Sequence, residues 1–204
     1  VFEAADAIGG QFRLAAAIPG KEEYAHTLRY FNRRLIRLGV PVHLGRRVTA
    51  DELADGGYGE IVYSAGVVPR IPEIEGIDHP SVIAYDDLLD GTRTAGDKVA
   101  VIGAGGIGVD VAQFLIREPN QTLEEWKASW GVVDPDEVPG GVGKPVPEKS
   151  LREVHLLQRK TSRIGAGLGK TTGWVHRAEL KKHGVHQYTG VTYDRIDDDG
   201  LQKD

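Results

Sequence analysis

The 204-residue sequence contains no cysteine and no methionine. Without cysteine it holds no disulfide framework, no cysteine-ligated iron–sulfur cluster and no Cys-x-x-Cys redox pair of its own. Electrons that move through this sequence must travel by organic cofactors. It also lacks an apolar run of the roughly 18 residues that a bilayer-crossing helix needs, and no basic stretch precedes a short apolar one as in an export signal. The expectation is no membrane partner and a cytoplasmic location. A formal charge of −5, with basic residues scattered among acidic ones, leaves no electrostatic footprint for nucleic acid. The missing methionine and the abrupt start at Val1-Phe2-Glu3, which reads as the end of a strand, give the sequence the look of a fragment.

Glycine, by contrast, is abundant, at 27 residues. The most telling glycines follow the apolar run Lys98 to Ile102 as Gly103-Ala104-Gly105-Gly106-Ile107-Gly108, and Val109 to Leu115 then reads as a helix. G-x-G-x-x-G alone is a weak pattern; strand before and helix after make it a dinucleotide site. Gly103 suits the tight turn, Gly105 and Gly106 the approach of backbone to a pyrophosphate, and Gly108 close packing of helix on strand, with Ile107 in the first turn and the anion at the helix N-terminus.

The next strong apolar strand, Val154 to Gln158, ends in Arg159-Lys160. NAD sites commonly carry Asp or Glu at that place to bind the ribose hydroxyls. A carboxylate would repel a 2′-phosphate, whereas a guanidinium forks onto it and an ammonium adds a point charge. NADPH is therefore expected over NADH. Gly108 and Arg159 stand further apart than the spacing of about 20 residues usual in such folds, so an insertion must intervene. Residues 117–150 supply it, punctuated by Pro119, Pro135, Pro139, Pro145, Pro147 and Gly140-Gly141. Within this excursion Thr122 to Trp130 reads as one short helix. Trp126 and Trp130 would share a face of it, favouring docking on the body over binding a partner.

Upstream, Tyr24, Leu28, Phe31, Leu35 and Leu38 recur at helical spacing up to Gly39, and the outward arginines 29, 33, 34 and 37 read as a solvated face. Short strands are expected at Val40–Leu44 and Tyr58–Val62, the latter running into Ser64-Ala65-Gly66, with an extended crossover at Val67–Pro72. Glu3, at the end of its strand, suits the ribose carboxylate of an earlier nucleotide fold, and Gly9-Gly10 allows a close approach or sharp turn.

These residues imply an α/β protein with two Rossmann-like nucleotide-binding folds, the second inserted in the first. Residues 1–92 would form part of an FAD fold and 93–204 an NADPH fold, with the boundary at the polar linker Gly91 to Gly96. No metal site is expected. Asp197-Asp198-Asp199-Gly200 lacks the ligand spacing of a calcium loop and reads as a hairpin turn, while Gly165 to Thr171 fails the P-loop spacing. The seven histidines form no His-x-x-x-His pair and read as surface or packing residues.

Taken together, Ile18-Pro19-Gly20-Lys21-Glu22-Glu23, Ala65-Gly66-Val67-Val68-Pro69-Arg70, Gly76-Ile77-Asp78-His79-Pro80, the run 103–108, Leu157-Gln158-Arg159-Lys160 and Gly167 to Trp174 resemble bacterial NADPH-dependent 2,4-dienoyl-CoA reductase, across essentially the whole chain. The resemblance implies the C-terminal part of a longer enzyme of fatty acid β-oxidation, whose N-terminal barrel carries FMN and an iron–sulfur cluster. It implies that NADPH at Gly103, Gly105, Gly106, Ile107, Gly108, Arg159 and Lys160 delivers hydride to FAD lined by Glu3, Gly10, Gln11, Val48, Ser64, Ala65 and Gly66. Electrons would pass on to an unsaturated acyl-CoA on the missing barrel, where the proton donor would also sit; the catalytic residue is therefore unknown. Two alternatives stand beside it: another NAD(P)H-linked flavin oxidoreductase acting on an enone or amine, and a non-catalytic nucleotide-binding scaffold.

Overall fold

A computed structural model describes residues 1–117 and 121–204; Pro119 of the expected excursion lies outside them. The chain forms two compact units, 1–70 and 71–204.

In the first unit, α1 (Gln11–Ala16) and α2 (Tyr24–Arg37) pack through Phe12 and Tyr24, whose rings stack at 4.5 Å. Gly9, at φ 122°, permits the contact, since a Cβ there would come within 2.6 Å of Leu28 Cδ2. A third helix, α3 (Ala50–Asp55), starts from a Thr49–Glu52 capping box, each residue binding the other's backbone N–H.

The two strands expected at the chain start and at 40–44 shrink to a single parallel bridge between Phe2 and His43. Glu3 N–H donates to the His43 carbonyl and His43 N–H to that of Val1, both at 2.9 Å. Pro41 has no N–H to extend the ladder, and Gly45 turns away at φ 64°. The strand expected at Tyr58–Val62 does not form. Its backbone lies beside no ladder partner among the described residues, and Val62 and Tyr63 are 89% and 85% exposed. Apolar β-branched character cannot make a strand where no neighbour accepts its hydrogen bonds.

The second unit holds a three-stranded parallel sheet, β1 (Lys98–Ile102), β2 (Glu153–Gln158) and β3 (His186–Thr189), in the order β1-β2-β3. Helix α5 (Gly106–Ile116) packs on β1, β2 and α7 (Gly173–Lys182). Val154 and Leu156 of β2, Val109, Ala112 and Leu115 of α5, and Leu180 of α7 are buried in one cluster. Ahead of the sheet, α4 (Tyr85–Leu89) adds Leu88 to that cluster, with Ile83, Tyr85 and Leu89 packed against it. Residues 71–92 therefore pack with the second unit, and the compact division falls between Arg70 and Ile71 rather than at the Gly91–Gly96 linker. A second sheet, the antiparallel hairpin β4 (Tyr193–Asp197) and β5 (Gly200–Lys203), turns at the expected aspartates, with Gly200 at φ 100°.

The excursion forms α6 (Leu123–Trp130), opened by a Thr122–Glu125 capping box and closed by the left-handed Gly131, then a single 3-10 turn at Pro139–Gly141. It docks on the body, as the tryptophan spacing suggests. Lys182 of α7 donates to Ser129 Oγ and to Glu148 Oε2, each at 2.7 Å, and lies 4.8 Å above the Trp130 ring. At the root of the excursion Arg117 pairs with Glu179 at 3.0 Å, both largely buried. No helix among the described residues is long and apolar enough to cross a membrane.

Candidate dinucleotide-binding site

Strand β1 delivers the chain into the glycine turn, and α5 begins at Gly106. Gly103 sits at φ 105°, a conformation that a side chain would strain. Gly105 caps α5 with extended backbone and no side-chain hydrogen bond, so the first N–H groups of the helix face outward unpaired by any cap. A Cβ on Gly105 or Gly106 would meet nothing within 4 Å. Gly108 is different: its Cβ would lie 1.8 Å from the Gly103 carbonyl oxygen. The turn is thus tight where helix crosses strand and open above the helix N-terminus, which is the shape and polarity that a pyrophosphate requires. Ile107 projects beside it, 52% exposed.

Arg159 and Lys160 follow the last residue of β2. Because β1 and β2 are parallel, with Ile102 beside Leu157, the two cations emerge at the same sheet edge as the glycine turn, despite the long excursion between them. Gly103 N–H donates to the Leu157 carbonyl at 2.8 Å and ties the two together. Both cations are exposed. The loop after them is held by Gln158, whose side chain donates to the carbonyls of Lys160 and Ser162, and by Gly190 N–H on the Lys160 carbonyl at 3.0 Å. Burial pushes the Tyr193 phenol above its usual pKa, and the Arg159 guanidinium opposes that rise. No carboxylate occupies positions 158–163.

In the first unit Glu3 is fixed by its backbone pairing with His43 and Arg46, and its Oε1 accepts from Ala5 N–H at 2.9 Å. Gly10, at φ 42°, caps α1 over open space. Gln11 Nε2 reaches the Val67 carbonyl at 3.4 Å, which brings it to the segment following Ser64-Ala65-Gly66. That segment is exposed and irregular, with Gly66 at φ 74°. Val48 lies half-buried ahead of the α3 cap. All seven of these residues lie in the first unit.

Two groupings in the second unit escaped the sequence reading. His183 is buried against Glu148 and Glu179, at 3.3 and 3.8 Å. Burial holds its pKa below the usual value, and the two carboxylates oppose the shift. Glu153, His155 and His186 cluster at the other end of β2 from Arg159. Each joins a local pair, Glu179 with His183 one helical turn on and Glu153 with His155 two residues along β2, to a third residue, Glu148 or His186, that only the fold brings near.

The parallel sheet and the strand–glycine turn–helix unit define an α/β domain of the Rossmann type. The chain belongs to the pyridine nucleotide-disulphide oxidoreductase family, whose model matches residues 39–203. This family implies FAD and NAD(P)H as cofactors; the disulphide of its name has no counterpart here, since the sequence contains no cysteine. Over 98% of its length the chain is 26% identical to a metal reductase of Desulforamulus reducens, covering 30% of that protein. Over 97% it is 28% identical to the N,N-dimethylglycine/sarcosine dehydrogenase of Chromohalobacter salexigens, covering 28%. Among solved structures, a 2-naphthoyl-CoA reductase complex matches 99% of the chain and 26% of its own, at 26% identity and a TM-score of 0.75. The chain thus spans less than a third of the length of these relatives.

Proposed function

We propose that this chain is the FAD- and NADPH-binding part of an oxidoreductase resembling 2,4-dienoyl-CoA reductase, reducing an unsaturated acyl-CoA. The observation that carries the nucleotide assignment is the placement of Arg159 and Lys160, without a carboxylate, beside the glycine turn at one sheet edge. The likeness to a 2-naphthoyl-CoA reductase supports a conjugated thioester as electron acceptor.

In this reading residues 93–204 bind the dinucleotide and residues 1–92 contribute to FAD. The backbone of Gly105 to Gly108 holds the pyrophosphate; Arg159 binds the 2′-phosphate bidentately and Lys160 adds charge. Glu3 accepts from the FAD ribose, while Gly10, Gln11, Val48 and Ser64 to Gly66 line the flavin nucleotide. When bound, the nicotinamide supplies a hydride and the flavin accepts it. FMN and an iron–sulfur cluster, required to carry electrons onward to the thioester, belong to other segments, as does the proton donor.

The dehydrogenase relative favours a second reading, a flavin oxidoreductase acting on a secondary or tertiary amine. Steady-state turnover separates the two. NADPH oxidation that depends on a 2,4-dienoyl-CoA supports the first; turnover of N-methylated amino acids, with none of dienoyl thioesters, supports the second.

A further inference from the structure

The structure assigns a divalent-cation site to Glu153, His155 and His186, at the end of the parallel sheet opposite the dinucleotide turn. The sheet itself builds it. His155 and His186 are direct partners in the β2–β3 register, and their imidazoles stack with centroids 4.7 Å apart. Glu153 precedes His155 by two residues and so shares its face of the sheet; its Oε1 lies 2.7 Å from His155 Nε2. One ligating atom from each of the three residues lies within 4.8 Å of the others. Small rotations of two side chains bring all three around one ion at about 2.0–2.2 Å, the distances of zinc to imidazole nitrogen and carboxylate oxygen.

The surroundings match a ligand set. Tyr188, on the same face of β3, places its hydroxyl 3.2 Å from His155 Nδ1. With Nδ1 protonated and donating to that hydroxyl, the Nε2 lone pair points at Glu153, and a cation between them replaces a repulsive approach. Two imidazoles and one carboxylate, with water completing the shell, select borderline divalent ions such as Zn(II), Co(II) or Ni(II) over Mg(II) or Ca(II).

Two further charges face the group. The Lys98 ammonium occupies Glu153 Oε1 at 3.0 Å, and Lys203 sits 4.5 Å over the Tyr188 ring. Binding therefore displaces Lys98 from Glu153 and releases to solvent any proton on His155 Nε2; no redox change is involved. Lys98 acts as a built-in competitor, which makes its removal diagnostic.

The test is a titration of the purified, chelator-treated protein with Zn(II) by calorimetry and with Co(II) by visible absorption, wild type beside H186N, E153Q and K98Q. Wild type should take up one equivalent that the two ligand variants weaken by about tenfold or more, while K98Q binds more tightly than wild type. His186, Glu153 and Lys98 are exposed, and matching circular dichroism spectra establish that the variants fold. No uptake by wild type, or uptake unchanged in both H186N and E153Q, overturns the assignment.

Discussion

Gly103 donates its backbone N–H to the carbonyl oxygen of Leu157 at 2.8 Å. That one bond locks the glycine turn to the end of β2, two residues before Arg159, so residues separated by the whole excursion act at one edge. Its neighbour Gly108 keeps the turn closed. Gly108→Ala drives a methyl into the Gly103 carbonyl, 1.8 Å from its oxygen. Neither atom belongs to a flexible side chain, so backbone must shift. Overpacking of this kind costs about 1–3 kcal/mol. The urea midpoint should fall accordingly, and binding of NADPH and NADH should weaken together.

The excursion depends on Lys182. Replacing it by Met keeps the aliphatic stem beside Trp130 but removes two bonds of 2.7 Å, to Ser129 and Glu148. Charged hydrogen bonds of this kind contribute about 1.5–3 kcal/mol where they are shielded from water. Limited proteolysis should then nick residues 131–150 faster than in wild type, with the far-ultraviolet circular dichroism of the body retained. An unchanged cleavage rate would show that the excursion docks by other contacts.

Acid should loosen the same region. The pKa of His183 in the folded protein lies below its usual 6.5, chiefly because the ring is buried. Well above pH 6.5 both the folded and unfolded states carry it neutral, and it contributes no pH dependence there. As pH falls below that value the unfolded chain takes up the proton first, so folding stability declines with acidification until the folded pKa is passed. Chemical denaturation between pH 7.5 and about pH 5 should show this slope, and His183→Gln should flatten it.

What could be read in the sequence was what is local. The β1–glycine turn–α5 unit, the periodic α2 and the Thr122–Glu125 capped helix each occupy one continuous stretch, and all form where expected. Tyr58–Val62 has strand composition, yet a strand is a property of two segments, and the second cannot be seen in the first. The same limit hid the His155–His186 pairing, which exists only through the parallel register. Residues 71–92 carry no mark of where they pack until Leu88 is seen in the core of the second unit.

The reading of Arg159 as the group that distinguishes NADPH from NADH is tested most directly by titrating the anaerobic purified protein with each nucleotide in turn, following bleaching of bound flavin, in wild type and Arg159→Ala. NADPH should bleach wild-type flavin at far lower concentration than NADH. Arg159→Ala should weaken NADPH by about ten- to a hundredfold, the worth of a charge-assisted bond of about 1.5–3 kcal/mol, with NADH little changed. Equal loss for both nucleotides, or bleaching of wild type by NADH alone, would contradict it.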